Sequence, residues 1–242
     1  SSRSKTLRSK ATTCQHPLAR PWRLRYLSRK NSTVLPSIAI PRMTGYSDRI
    51  NHAFAFAAKH HDREVRKGTR LPYLTHPANV ALILTRYGQD EDTVVSGILL
   101  NVVEDYTRDG WTREEIADRL EEKFGADVLD TTIAIATRKF DDDGYEMDRD
   151  EQRADYLARL ARSGQRSRWL AAADHVHNGS SLLADLGRTV DPESVWSRFA
   201  AGRVGTERWY RAVYERLVEI GFNGTILEEL KSVSAELSHV GN

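Results

Sequence analysis

An all-α, single-domain helical bundle is what this sequence predicts, on three observations. From Tyr46 onward, apolar residues recur at three- and four-residue spacing in one segment after another. Helix caps and stop signals, not turn pairs, separate the segments. No repeat period and no convincing β-hairpin breaks the pattern. With 242 residues, 40% hydrophobic and 29% charged, the chain can bury a substantial core and is too apolar to be disordered throughout.

Ser47 or Asp48 caps a first helix carrying Ile50, Phe54, Ala57 and Ala58 on one stripe. A polar loop follows from His60 to Arg70, with Gly68 inside it. Thr75-His76-Pro77 reads as a helix start with Pro77 at the first helical position, Val80, Ile83, Leu84 and Tyr87 as its buried stripe, and Gly88 as its stop. A third helix, from about Glu91 to Tyr106, is apolar on nearly every side between Val94 and Val103, which predicts a central place. Thr112 to Glu115 forms a capping box for a fourth helix ending at Phe124-Gly125. Val128 to Thr137 is β-branched and suits strand or helix; its helical neighbours favour helix. The acidic run 141–144 is a loop. Helices resume at 149–161 and 165–186, the latter stopped by Gly187. Asp191-Pro192-Glu193 opens a short helix, and 206–220 and 226–237 close the chain.

Net charge is +2, so no strong pull toward DNA or an acidic membrane follows. Residues 1–42 are basic with no Asp or Glu; they read as a basic leader, disordered or a non-native extension, ahead of a domain over 43–242 that begins at Met43. One cysteine, Cys14, excludes a disulfide framework or a Cys-rich zinc site and suits a cytoplasmic setting. No stretch has the length and apolarity of a membrane-spanning helix. Oligomeric state is not encoded legibly: Trp196, Phe199, Trp209 and Tyr214 suit a tail on the core or an interface.

Three stretches hold polar residues that apolar helices do not need: Arg66-Lys67 with Tyr73 and His76; Asn101, Glu104 and Asp105; and Asp174 with His177 and Asn178. Asn101, Glu104 and Asp105 share one helical face, and Asp174 and Asn178 share another. If these faces converge beneath His76, the pocket has one imidazole, three carboxylates and two amides, a mix suited to a divalent cation and a phosphate ester. Arg66 and Lys67 would meet the ester's charge. Each piece also has a plainer explanation. His76 could be a capping residue, Glu104-Asp105 a solvated helix end, and Arg66-Lys67 an exposed basic pair. Asp174 is harder to dismiss, because an acid after three alanines in a buried helix requires a partner. His60, His61, His175 and His177 read as structural or exposed, with His177 the one of these four best placed to approach the pocket.

In order, these stretches run His61-Asp62-Arg63-Glu64-Val65-Arg66-Lys67, Tyr73-Leu74-Thr75-His76-Pro77, Leu99-Leu100-Asn101-Val102-Val103-Glu104-Asp105-Tyr106, and Ala171-Ala172-Ala173-Asp174-His175-Val176-His177-Asn178. Over about 46–186 this resembles the HD-type hydrolase domain of the RelA/SpoT homologues, above all the small alarmone hydrolases. The resemblance implies a manganese-dependent 3′-pyrophosphohydrolase acting on guanosine tetra- or pentaphosphate. It implies His76 and Asp174 as metal ligands, Glu104 and Asp105 as the pair that positions or activates water, and Arg66, Lys67, Tyr73 and Asn178 as substrate contacts. The chain departs from the family at the His-Asp pair, here Leu100-Asn101. Leucine has no lone pair, and asparagine offers only a neutral carbonyl oxygen as a third metal contact. Tyr106, Ala171 and Gly179 are smaller departures. Three readings follow: an alarmone hydrolase in which Glu104 or Asp105 replaces a ligand, a non-catalytic nucleotide- or protein-binding relative, and an enzyme whose pair was altered in this copy.

Overall fold

A computed structural model describes residues 46–67, 69–106 and 110–240. The expected basic leader and Gly68 lie outside those residues. Ten α-helices make up the described fold: α1 Asp48–His60, α2 Thr75–Arg86, α3 Glu91–Glu104, α4 Arg113–Phe124, α5 Ala126–Ile133, α6 Arg149–Arg162, α7 Gln165–Arg188, α8 Pro192–Trp196, α9 Gly202–Glu219 and α10 Ile226–His239. The fold is all-α. Among the described residues, extended pairing is confined to two isolated antiparallel bridges, Val65 with Pro72 and Phe140 with Glu146. Each closes a loop that sequence patterning gave no hairpin signal for.

Local chemistry sets most boundaries. Ser47, not Asp48, caps α1, its hydroxyl accepting the Ile50 N–H at 3.1 Å. Thr112 and Glu115 form the expected capping box at α4, and Asp148 with Glu151 forms another at α6. Gly125 joins α4 to α5 at φ 90°, where a side chain would be strained. The β-branched segment is helical, as its neighbours suggested, but only to Ile133. Two expectations are corrected. Pro77 is the third residue of α2, not the first; it needs no N–H partner there, because the first turn's donors have no intrahelical acceptor. Gly187 does not stop α7, which runs on to Arg188 because Leu186 is anchored in the core.

The apolar helix α3 is central, as its composition requires. It packs against α1, α2, α4, α5 and α7, and Val95, Ile98, Leu99 and Val102 are fully buried. Helix α7 is the second spine, packing against α2, α3, α9 and α10. A smaller apolar cluster lies under its C-terminal half, where Leu182 and Leu186 meet Trp196, Tyr210 and Leu237. Trp209 and Tyr214 pack on the main core, and Phe199 on the smaller one.

Gly179 sets the closeness of α7 to α9 and α10. A Cβ there would stand 2.2 Å from Val233 Cγ1 and 2.8 Å from Tyr210 Cε1. Neither neighbour is a flexible chain end. Gly179→Ala therefore lowers stability by about 1–3 kcal/mol, the usual range for overpacking, measured as a shift in the urea midpoint.

Candidate functional site

One large cavity, about 920 Å³, opens between the loop before α2, the C-terminal half of α3, and α6, α7 and α9. Arg66, Lys67, Tyr73, Leu100, Asn101, Glu104, Asp174, His177 and Asn178 line it. Each element delivers its residue for a local reason. The small turn closed by Val65 and Pro72 presents Arg66 and Lys67, and the start of α2 buries His76 behind them. Leu100, Asn101 and Glu104 come from the last turn of α3. Asp174, His177 and Asn178 are three and four apart on α7, so they share its cavity face.

The side chains are linked. His76 Nε2 lies 3.0 Å from Asp174 Oδ1, which also accepts Asn178 Nδ2 at 3.1 Å. Asn178 Oδ1 accepts Arg66 Nη2 at 3.1 Å. On its other side, His76 Nδ1 is 2.7 Å from His177 Nδ1, whose Nε2 faces Ser181 Oγ at 3.4 Å. With His76 donating from Nε2, a consistent proton order runs from Ser181 through His177 and His76 to Asp174. Burial pushes the Asp174 carboxyl upward, but the bond from His76 and the nearby His76, His175 and His177 hold it below the usual range. Burial, then His76 and Arg66, lower His177 to about 4, so it is neutral at pH 7.

Glu104 Oε1 accepts the backbone N–H of Thr137 at 2.8 Å, and Oε2 accepts Asn101 Nδ2 at 2.9 Å. Burial, followed by repulsion from Asp174, raises its carboxyl to about 7 despite the Thr137 bond. A raised acid binds its proton more tightly when folded than when unfolded. The Glu104 contribution to stability therefore falls as pH rises from about 4.5 to about 7 and is level above that, while the lowered His177 contributes a rise between about 4 and 6.5. Urea unfolding across this window reads the sum of the two, and Glu104→Gln should leave stability rising with pH up to about 6.5, the His177 contribution alone. Asp105 is the C-cap of α3; its carboxylate faces Lys139 Nζ at 3.8 Å, outside the lining of the large cavity. Tyr73 is packed beside His61 and His76, and burial with Glu104, Asp105 and Asp174 keeps its phenol protonated.

The HD domain family model matches residues 53–207, more than half of the sequence. The chain belongs to the HD domain family. A guanosine-3′,5′-bis(diphosphate) 3′-pyrophosphohydrolase from Aquifex aeolicus is 37% identical to this HD chain over 78 residues, 32% of the chain and 11% of the relative. A GTP pyrophosphokinase from Myxococcus xanthus is 30% identical over 138 residues, 56% of the chain and 17% of the relative. The HD chain thus matches less than a fifth of either curated relative. Among solved structures, lmo0812 from Listeria monocytogenes EGD-e aligns with TM-score 0.55 and 24% identity, over 67% of this chain and 97% of that one. A metazoan ortholog of SpoT, described as hydrolysing ppGpp, aligns with TM-score 0.58 and 20% identity, over 79% and 96%. At these identities the two structures speak to the fold.

A divalent transition metal would find few good donors in this cavity. His76 Nε2 and Asp174 Oδ1 are two strong donors side by side. Asn101 Oδ1 is buried without a hydrogen-bond partner, a weak third donor. Leu100 has no donor atom. Among the described residues no group of three or more His, Cys, Asp or Glu is arranged to hold a metal. His177 is no replacement ligand in this arrangement, since it takes the opposite ring nitrogen of His76 from Asp174. The residues do not fit a tightly held transition ion, which needs three or four good protein ligands.

Sequence reasoning missed part of the wall. Ser181 was signalled only by standing one turn after His177. Arg153, stacked over Trp209 at 5.3 Å, had no motif at all. Thr137 acts through its backbone N–H, which side-chain identity cannot announce. His60, His61 and His175 are buried, and His175 Nδ1 donates to Ala171 O at 2.9 Å within its own helix.

Proposed function

We propose that this HD chain binds guanosine tetra- or pentaphosphate, or a close nucleotide relative, in the large cavity and hydrolyses it at most very slowly. The observation that carries the reading is the connected set Arg66–Asn178–Asp174–His76 on a wall that also holds Leu100 and Asn101. Cationic and amide donors suited to phosphate and ribose are in place, while the donors for a tightly held metal are not. The names of the curated relatives supply the nucleotide. HD hydrolases are generally metal-dependent, and were manganese to bind here, His76 and Asp174 would be its strong contacts, with Asn101 a weak one. Glu104 would position water; Asp105 faces Lys139 outside the cavity lining and is not assigned that role. Lys67 and Tyr73 complete the nucleotide contacts. A cytoplasmic location belongs to the same reading.

Calorimetry with guanosine tetraphosphate tests the binding. One-to-one binding is expected, weakened about tenfold or more by Arg66→Ala, since one charge-assisted hydrogen bond carries at least that much. Pyrophosphate release with added manganese should stay near background. Brisk turnover by the unaltered chain, abolished by a chelator, would overturn the impaired-catalysis half of the proposal.

A further inference from the structure

A second cavity, about 370 Å³, lies on the far side of Glu104, between α3, α4, α5 and the loop 137–144. Its apolar side is formed by the half-buried Val103 and Ile133, with Ile116, Leu120 and Leu129 packed directly behind them from α4 and α5. Its mouth carries both signs of charge, with Asp142 facing Arg113 at 4.0 Å and Arg138 at 2.7 Å. Glu104 and Thr137 line both cavities, and the 2.8 Å bond between them is the shared wall. The other oxygen of Glu104 holds the Asn101 amide in the large cavity at 2.9 Å. Three linked groups thus run from one cavity to the other.

We infer that the second cavity is a ligand site for a compact apolar molecule, and that its occupancy is felt in the large cavity through Thr137, Glu104 and Asn101. The volume lies within the range of small-molecule sites. Its aliphatic side gives an apolar guest the dispersion contacts that water there does not make. The mixed charges at the mouth accept a head group of either sign, so the shared chemistry is the apolar body. A guest seated against Glu104 changes the packing of a carboxylate whose two oxygens are both committed, and any adjustment is passed to Thr137 or Asn101. The inference stands apart from the nucleotide reading, because its readouts need no nucleotide.

The experiment is a nuclear magnetic resonance titration of the full, methyl- and amide-labelled chain. The probes are 4-phenylbutanol, 4-phenylbutyrate and 4-phenylbutylamine, one apolar body with neutral, anionic and cationic heads. At least one probe is expected to give saturable shifts of the Ile116, Leu120, Leu129 and Ile133 methyls, together with the Thr137 backbone amide and the Asn101 side-chain amide. Ala117→Phe, which fills the cavity from α4, should remove all of them; Ile133→Phe does the same from α5 should the first variant not fold. Silent methyls at millimolar probe overturn the site, as do methyl shifts that persist in a folded plugged variant. Methyl shifts with unmoved Thr137 and Asn101 amides overturn the communication.

Discussion

Restoring the missing donors with Leu100→His and Asn101→Asp together is expected to raise manganese-dependent release of pyrophosphate from guanosine tetraphosphate by roughly 100-fold or more. The estimate is a floor, because disturbing a partner that merely orients a metal ligand already costs about 10- to 100-fold in affinity or activity. Two direct ligands should matter more. Both positions lie on the last turns of α3, on the wall that carries Glu104 and faces Asp174, so the new side chains need no rearrangement of the backbone. Leu100 is buried and the imidazole is of comparable size, while Asn101→Asp keeps shape and adds the charge. Asn101 Nδ2 now donates to Glu104, and an aspartate there sets two carboxylates together unless a cation intervenes. The double variant should therefore be less stable without metal and gain stability on adding manganese. Calorimetry and a melting curve with and without the ion check both statements. A variant that binds manganese tightly but releases no pyrophosphate would separate metal loss from catalytic loss and place the defect in substrate positioning.

The second large effect is on stability. Arg159→Ala should lower it by about 3 kcal/mol, measured by urea unfolding. Arg159 is mostly buried; it pairs with Asp155 at 2.8 Å and donates to the carbonyls of Ala134 at 2.9 Å and Ala136 at 2.8 Å. Ala134 is the C-cap of α5 and Ala136 lies two residues beyond it, so neither carbonyl has a helical partner of its own. Removing the guanidinium strands them, while Asp155 keeps Arg138 as a partner. That residual pairing holds the estimate at the lower end for a broken buried ion pair. Arg159→Lys should recover only part of the loss, since an ammonium cannot reach two carbonyls and a carboxylate in the same fork.

How much of this could be read from the sequence varies with what carries the information. The helices were legible because periodicity and caps are local; the α4 capping box is the clearest case. The pocket was legible because Asp174, following three buried alanines, demanded a partner, and His76 supplies it. Gly187 and Pro77 misled for the same reason: both residues break isolated helices, but packing around Leu186 and the free donors of a first turn tolerate them. The Thr137–Glu104 wall was out of reach, since a backbone donor 33 residues away leaves no trace in side-chain patterning. The two ring nitrogens of His76 are a similar case. Sequence named the residue, but only geometry says that His177 takes one face of the ring and Asp174 the other.

Helix α7 brings Asp174, His177, Asn178 and Ser181 to the cavity from a single rod of 24 residues, about 36 Å long. Such a rod behaves like a camshaft: its lobes keep their mutual timing, and the whole set turns together. One extra residue before Asp174 would swing every lobe by about 100° toward the side now occupied by apolar packing. Point substitutions on this surface can be absorbed one by one, whereas a single insertion upstream should erase the site at a stroke, so natural length variation in such chains belongs in the loops between helices and not within this one.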